Sequence, residues 1–392
     1  MSSDTPEGAA AALRTTDAVR DRAGRLLQRA RAGESAWFTV RDDALDSAAD
    51  VVAEVTRSRY PDLAIPFHSR WRHFEAGDVN RAAGLEGNPR AMIDLAVVSV
   101  LLDAGAGPGW SFEEKATGQR FSRSEGLAVA SWHAFADGLF SSDPGDPVRV
   151  DADALRALTA DRLGAAFQAC ADNPLVGLDG RVELLQRLGD ALTAEAFGGR
   201  PGGLFDTLTA RARTVHAHDI LTVLLTELSS IWLSGNDIGD QPLGDCWRHA
   251  AVGGEGLTRG WVPFHKLSQW LTYSLLEPFT RAGVPVEGVD TLTGLPEYRN
   301  GGLLLDAGVL ALRTPEHAER TWKVGDELVV EWRALTVALL DELAPRVCAR
   351  LGVDMPLACV LEGGTWAAGR LLAQQLRGGL PPLTIDSDGT VF

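Results

Sequence analysis

Thr293-Gly-Leu-Pro-Glu-Tyr-Arg-Asn-Gly-Gly-Leu-Leu-Leu-Asp306 sets an acid, an aromatic hydroxyl, a guanidinium and an amide (Glu297, Tyr298, Arg299 and Asn300) between a proline and a glycine pair. Gly294 and Pro296 forbid a long helix ahead of Glu297. The apolar run Leu303 to Leu312 that follows predicts a buried helix. Gly301-Gly302 lets the backbone turn or lets a ligand come close. Polar residues held where a loop meets a rigid element are a usual place for chemistry. An Arg–Glu pair capping a helix explains the stretch equally well, so its meaning depends on the rest of the chain.

Upstream, Pro263 opens a helix that Pro278 is expected to close. Lys266, Trp270, Tyr273 and Glu277 fall at i, i+4, i+7 and i+11, on one face, with Gln269 beside them. A face mixing a lysine, an amide, two aromatics and a carboxylate is neither a clean core stripe nor a clean solvent face. It reads as a site wall, with Lys266 for a phosphate and Glu277 as acid or orienter, or as a boundary helix with Lys266 exposed. Downstream, Glu362-Gly-Gly-Thr-Trp366 begins the last long helix, and its glycines imply a tight approach by a ligand or by a neighbouring helix.

Further out, the pattern is overwhelmingly helical. Amphipathic helices are expected over 9–31 and 42–59, a helix from Asn88-Pro89 with asparagine as its cap, others over 151–172, 179–197 and from Asp326 to about Leu351, and one or two over 206–233. Short hairpins are expected around Thr117-Gly118 and Asp388-Gly389. Residues 234–263 form a long glycine-rich loop beside three tryptophans, Trp232, Trp247 and Trp261, which favour order. Phe67-His68-Ser69-Arg70-Trp71-Arg72-His73-Phe74 reads as a snorkelling surface patch or as a seat for an anion or a planar group. The fold class expected is mainly α with a few short strands.

The 392-residue chain, 45% hydrophobic, has ample material for a core. Its net charge of −16 argues against a duplex nucleic-acid partner, which would need a basic face. No apolar run reaches 18 residues, so no membrane span is expected, and the N-terminal residues lack the marks of a signal peptide. Cys170, Cys246, Cys348 and Cys359 are scattered with no C-x-x-C and read as small buried residues of a reduced, cytosolic protein. His216-Ala-His218 resembles a metal-binding pair, but alternate residues share a face only on a strand, and helix follows. Asp386-Ser-Asp-Gly389 is half a calcium loop whose distal glutamate is missing. No metal and no cofactor are expected.

Several stretches together resemble the uracil-catabolism protein four family of fungi and bacteria. They are Pro263-Phe-His-Lys-Leu-Ser-Gln-Trp-Leu-Thr-Tyr-Ser-Leu-Leu-Glu-Pro278, Leu292-Thr-Gly-Leu-Pro-Glu-Tyr-Arg-Asn-Gly-Gly302, Leu361-Glu-Gly-Gly-Thr-Trp366 and Ser387-Asp-Gly-Thr-Val-Phe392. The resemblance spans nearly the whole chain. It implies a place in a pathway that opens the uracil ring with ribose attached and then releases urea. A weaker resemblance, from about Trp110 to Trp366, is to queuosine-5′-phosphate N-glycosylases. Phe264, Lys266 and Gln269 match their lysine helix, Glu297-Tyr298-Arg299 matches their Asp-Tyr-Arg, and Gly118-Gln-Arg-Phe121 resembles their Gly-Lys-Thr-Tyr. Departures are Glu297 in place of aspartate, Ser274 where that helix carries an aspartate, and Ala367 after Trp366 where an aspartate stands. Glu277, Asp306 or Glu362 would then substitute as second carboxylate.

This second resemblance implies a helical fold akin to helix-hairpin-helix DNA glycosylases. A helical segment would span 1–85 and a glycosylase-like domain 86–392, with the option of two lobes flanking the site. The implied activity is an N-glycoside hydrolase cleaving ribosylurea or its 5′-phosphate to urea and ribose (phosphate). Glu297 would face the anomeric carbon and Glu362 would be the second acid. Lys266 would bind phosphate, with Gln269, His265, Trp270, Tyr298, Arg299, Asn300 and Trp366 around the substrate. Arg299 would alternatively hold Glu297 ionised. Two other classes stand beside it: a non-catalytic partner or regulator of the ring-opening enzyme, and a metal-dependent ureido or amide hydrolase using His216 and His218.

Overall fold

The computed structural model describes residues 2–386. The chain is mainly α, with short two-stranded ladders rather than a sheet. It forms two compact units. One contains residues 2–68, 236–266 and 289–386; the other contains 69–235 and 267–288.

The first unit is built on the Glu327–Leu351 helix. The Thr16–Arg31 and Ala44–Arg59 helices pack along it. Val19, Ala23 and Leu26 meet Val330, Ala334 and Val337 there. The N-terminal helices are thus part of the unit that carries Glu297 and Glu362. The Tyr298–Asp306 helix lies against the Trp366–Arg377 helix. Gly369 permits this contact, because a Cβ there would stand 2.9 Å from the Arg299 carbonyl carbon. Gly301 accommodates the Trp332 ring instead of a ligand. A Cβ would lie 2.7 Å from that ring, and the indole N–H donates to the Gly301 carbonyl at 3.1 Å.

The loop expected over 234–263 holds two small antiparallel ladders, Asp237–Ile238 with Gln241–Pro242 and Cys246–Arg248 with Trp261–Pro263. The apolar run after Glu297 divides. The helix ends at Asp306, and Leu310–Leu312 pairs antiparallel with Phe38–Val40. Thr384–Asp386 pairs parallel with Thr321–Lys323. The hairpin expected around Asp388-Gly389 lies outside the described residues.

In the second unit, the Pro89–Leu101 helix is apolar all round and buried, as such a composition requires. Asn88 caps it through the Ala91 N–H at 3.2 Å. The Phe112–Glu114 and Gln119–Phe121 hairpin forms as expected. The helical pattern over 151–172 is interrupted and yields Ala152–Arg156 and Ala160–Ala166, while the stretch 206–233 forms two helices, Gly203–Arg211 and Ala217–Glu227.

The helix expected to close at Pro278 instead runs Lys266–Arg281 through it. A proline here removes the N–H that would bond the Ser274 carbonyl. The Trp71 indole N–H supplies a substitute at 2.7 Å. The 67–74 cluster is no surface patch. Ser69, Arg70 and Trp71 are buried. Arg70 faces Asp103 at 2.9 Å and donates to Ser99 Oγ at 2.8 Å and to the Ser124 carbonyl at 3.1 Å. An arginine can be buried when a carboxylate and further acceptors satisfy it. Among the described residues, no helix is long and apolar enough to cross a membrane.

Candidate active site in the first unit

Glu297 is the N-cap of the Tyr298–Asp306 helix. Its Oε2 accepts from the Arg299 N–H at 2.7 Å and its Oε1 from the Asn300 N–H at 2.6 Å. Both donors are among the four N–H groups that a helix start leaves unpaired. Part of its surface stays accessible, yet protein surrounds the carboxyl and desolvation pushes its pKa up. The two backbone donors, then Lys266, then His68 pull the other way and are outweighed. Lys266 and His68 thus lie within electrostatic reach of this carboxylate.

The neighbouring polar side chains are occupied by the fold. Arg299 is buried and donates from Nη1 to the Gly379 carbonyl at 3.3 Å, with its guanidinium 4.7 Å from the Tyr298 ring centre. Asn300 donates from Nδ2 to the Leu295 carbonyl at 3.0 Å. The helix-cap reading and the functional reading of this stretch are therefore compatible. The cap fixes the position of the carboxylate in a residue that keeps part of its surface exposed.

Glu362 sits in an unusual turn. The last long helix is α-helical over Leu357–Val360, widens to a π-helix over Leu361–Thr365, and resumes over Trp366–Arg377. Such widened turns occur often at functional sites. Gly363 and Gly364 let this turn press on the Ala44–Arg59 helix. A Cβ on Gly364 would come 2.6 Å from the Val52 carbonyl oxygen. The close approach is therefore by a helix, one of the two options that the glycines left open. Arg59 donates to the Glu362 carbonyl and, at 3.2 Å, to the Gly363 carbonyl.

The Glu362 carboxylate is gripped by three side chains. Oε1 accepts from Arg59 Nη2 at 3.1 Å and from Tyr60 OH at 2.9 Å; Oε2 lies 2.8 Å from His68 Nδ1. Burial works to raise its pKa. The His68 hydrogen bond and charge, Arg59 and Tyr60 overcome that, bringing it down to about 2. Glu362 is therefore ionised at neutral pH, an acceptor and not the proton donor expected of a second acid. Its ordinary value is 4.5. Ionised Glu362 thus stabilises the fold above pH 4.5, and that contribution disappears as pH falls toward 2. The contribution is roughly 3 kcal/mol. Glu362→Gln is expected to be markedly less stable than the parent at pH 7, with the difference shrinking by pH 3. Guanidinium unfolding at the two pH values measures this; an equal gap at both would contradict it.

Beneath these residues, Asp245 and Arg333 form a buried bidentate pair, with both N–H···O distances 2.8 Å. Asp245 also accepts from the Trp247 indole at 2.8 Å and from the Lys266 N–H at 2.9 Å, so it caps the Lys266–Arg281 helix. Burial would raise the Asp245 pKa, but Arg333 and these donors lower it to about 2. Arg333 Nε reaches the Pro296 carbonyl at 3.4 Å. One ion pair thus fixes both the start of the lysine helix and the residue before Glu297.

His265 lies immediately before that helix at φ +50°, a left-handed conformation that strains a non-glycine residue. Its buried ring donates from Nε2 to the Leu13 carbonyl at 2.9 Å. Burial lowers its pKa. Trp366 is half-buried, 5.6 Å from the Arg370 guanidinium. Gln269 and Trp270 continue the same helix in the second unit and are buried. There Glu277 is held by Ser69 at 2.6 Å and by Arg72 and Arg281, each at 2.8 Å. Asp306 pairs with Arg377 at 2.5 Å.

Of the residues predicted from sequence, Glu297, Glu362, Lys266, His265, Tyr298, Arg299, Asn300 and Trp366 all belong to the first unit. Sequence reading missed Arg59, Tyr60, Asp245 and Arg333 altogether, and gave His68 no role of its own. Only His68 carried a signal, as part of the cationic aromatic cluster. His216 ends a short strand while His218 lies in the following helix, with its Nδ1 3.2 Å from Thr222 Oγ1. Among the described residues, no group of three or more His, Cys, Asp or Glu is placed to hold a metal. Cys246 and Cys359 are buried, but Cys170 is exposed.

The family described as Protein of unknown function (DUF1688) matches residues 12–392. The chain belongs to that family. It is 41% identical over 399 residues to a Schizosaccharomyces pombe protein named Protein urg3, covering 95% of this chain and 96% of that one. It is also 39% identical over 397 residues to a Lachancea kluyveri protein named Uracil catabolism protein 4, covering 90% of each. The family resemblance read from the sequence motifs is thereby shown.

Proposed function

We propose that this protein acts in uracil catabolism as an N-glycoside hydrolase, cleaving ribosylurea or its 5′-phosphate to urea and ribose (phosphate). The pathway rests on the name of the Lachancea kluyveri relative. The reaction rests on one observation: Glu297, a partly exposed residue, has a carboxylate fixed by two backbone N–H groups, whose charge is destabilised by burial. Breaking an N-ribosyl bond builds positive charge at the anomeric carbon. A desolvated carboxylate gains more from that developing charge than from the neutral substrate, which lowers the barrier rather than tightening binding alone.

Lys266, within electrostatic reach of Glu297, is the phosphate contact in this reading. It would supply binding energy away from the reacting bond. The helical fold would correspond to that of helix-hairpin-helix glycosylases, and the reaction needs neither metal nor cofactor. The test is urea release from ribosylurea and from its 5′-phosphate by purified protein. Lys266→Ala is expected to raise KM for the phosphorylated substrate about 10-fold or more, as loss of a charged contact does, and to change KM for ribosylurea little. Equal effects on both would remove the phosphate role. No urea from either substrate would remove the hydrolase reading and favour a binding partner of the ring-opening enzyme.

A further inference from the structure

His68 is fixed at two points. Its backbone N–H donates to the Ala358 carbonyl at 3.0 Å, and its Nδ1 lies 2.8 Å from Glu362 Oε2. Its side chain retains 13% of its surface, whereas Glu362 retains 7%. Arg59 and Tyr60 already hold the other oxygen of Glu362. An ionised carboxylate only accepts hydrogen bonds, so the proton between the two side chains resides on Nδ1. Neutral His68 is then the tautomer with a basic Nε2, and protonated His68 donates from Nε2. A carboxylate that orients an imidazole in this way is a recurring device for acid–base chemistry. The His68 charge also reaches Glu297.

We propose that His68 is the acid–base residue of this site, protonating the departing urea nitrogen from Nε2, and that Glu362 is its positioning residue. This deepens the glycoside-hydrolase reading and rests on it. The bond between the anomeric carbon and nitrogen breaks with both electrons going to nitrogen, which takes the Nε2 proton. Water then adds its oxygen to the anomeric carbon, stabilised beside Glu297, and returns one proton to Nε2. The sum is ribosylurea plus water giving ribose and urea, with His68 restored. Urea needs such a donor because its anion is a poor leaving group.

The experiment compares His68→Asn with the parent protein on ribosylurea and on 4-nitrophenyl ribofuranoside, whose phenolate leaves without a proton. Loss of a general acid is expected to lower ribosylurea cleavage by about 10²–10⁴-fold and the nitrophenyl rate by less than about 10-fold, with Glu362→Gln following the same pattern more weakly. A merely structural His68 would lower both rates equally, and that result, or an unchanged ribosylurea rate, overturns the proposal. If the parent cleaves ribosylurea but rejects the nitrophenyl riboside, His68→Gly with added imidazole decides. Recovery of urea release supports the acid–base role and its absence overturns it. A parent protein that cleaves neither substrate removes the hydrolase reading itself, and the His68 role with it.

Discussion

Glu297→Gln is expected to lower kcat for ribosylurea cleavage by about 10³-fold, the scale of losing a preorganised charge-stabilising group, while the protein stays folded. Glutamine keeps a side-chain oxygen that can accept one of the Arg299 and Asn300 N–H bonds now made by the carboxylate. The helix cap is weakened, by about 1 kcal/mol, rather than abolished. The amide carries no charge to oppose the cation forming on the sugar, so the loss falls on kcat more than on KM. Steady-state urea release with matched unfolding curves measures both. A variant that unfolds normally and turns over at the parent rate would leave Glu297 as a helix cap only.

The second large effect is on stability. Arg333→Met is expected to destabilise the first unit by about 3–5 kcal/mol, the usual result of orphaning one member of a buried ion pair. Asp245 is 4% exposed and Arg333 1% exposed, so water cannot replace the lost partner. The remaining donors to Asp245, the Lys266 N–H and the Trp247 indole, are too few to carry the full charge. Combining Arg333→Met with Asp245→Asn removes the stranded charge and should recover part of the loss, a non-additivity that a double-mutant cycle reads directly. Guanidinium unfolding of the parent, both single variants and the double variant gives the four values. Strict additivity would show that the two residues act independently. Because the pair also anchors Lys266 and Pro296, the Arg333 variant should bind substrate more weakly even where it remains folded.

These two residue sets differ in how much of them can be read in one dimension. The helical character follows from local patterns that need no partner: Asn88-Pro89 caps its helix, Thr117-Gly118 turns its hairpin, and the long helix from Asp326 ends at Leu351. Glu297 was also legible, because Pro296 and the apolar run around it place a carboxylate at a helix start. The boundary expected at Pro278 failed for a reason lying just over two hundred residues away, where Trp71 supplies the missing hydrogen bond to Ser274. The 67–74 cluster failed similarly. A buried arginine looks like a surface arginine until Asp103 and Ser99 are brought to it.

The sequence by itself determined the mainly α class, the family and the position of Glu297, since each depends on neighbours along the chain. Only the tertiary structure decided what Glu362 is. Its spacing in Glu362-Gly-Gly-Thr-Trp366 says nothing of Arg59, Tyr60 and His68, which reach it from three hundred residues upstream and hold it ionised. The tertiary structure likewise created the Asp245–Arg333 pair. The physical reason is common to both. A carboxylate's protonation and role are set by desolvation and by the donors around it, and those are properties of packing, which local sequence does not encode.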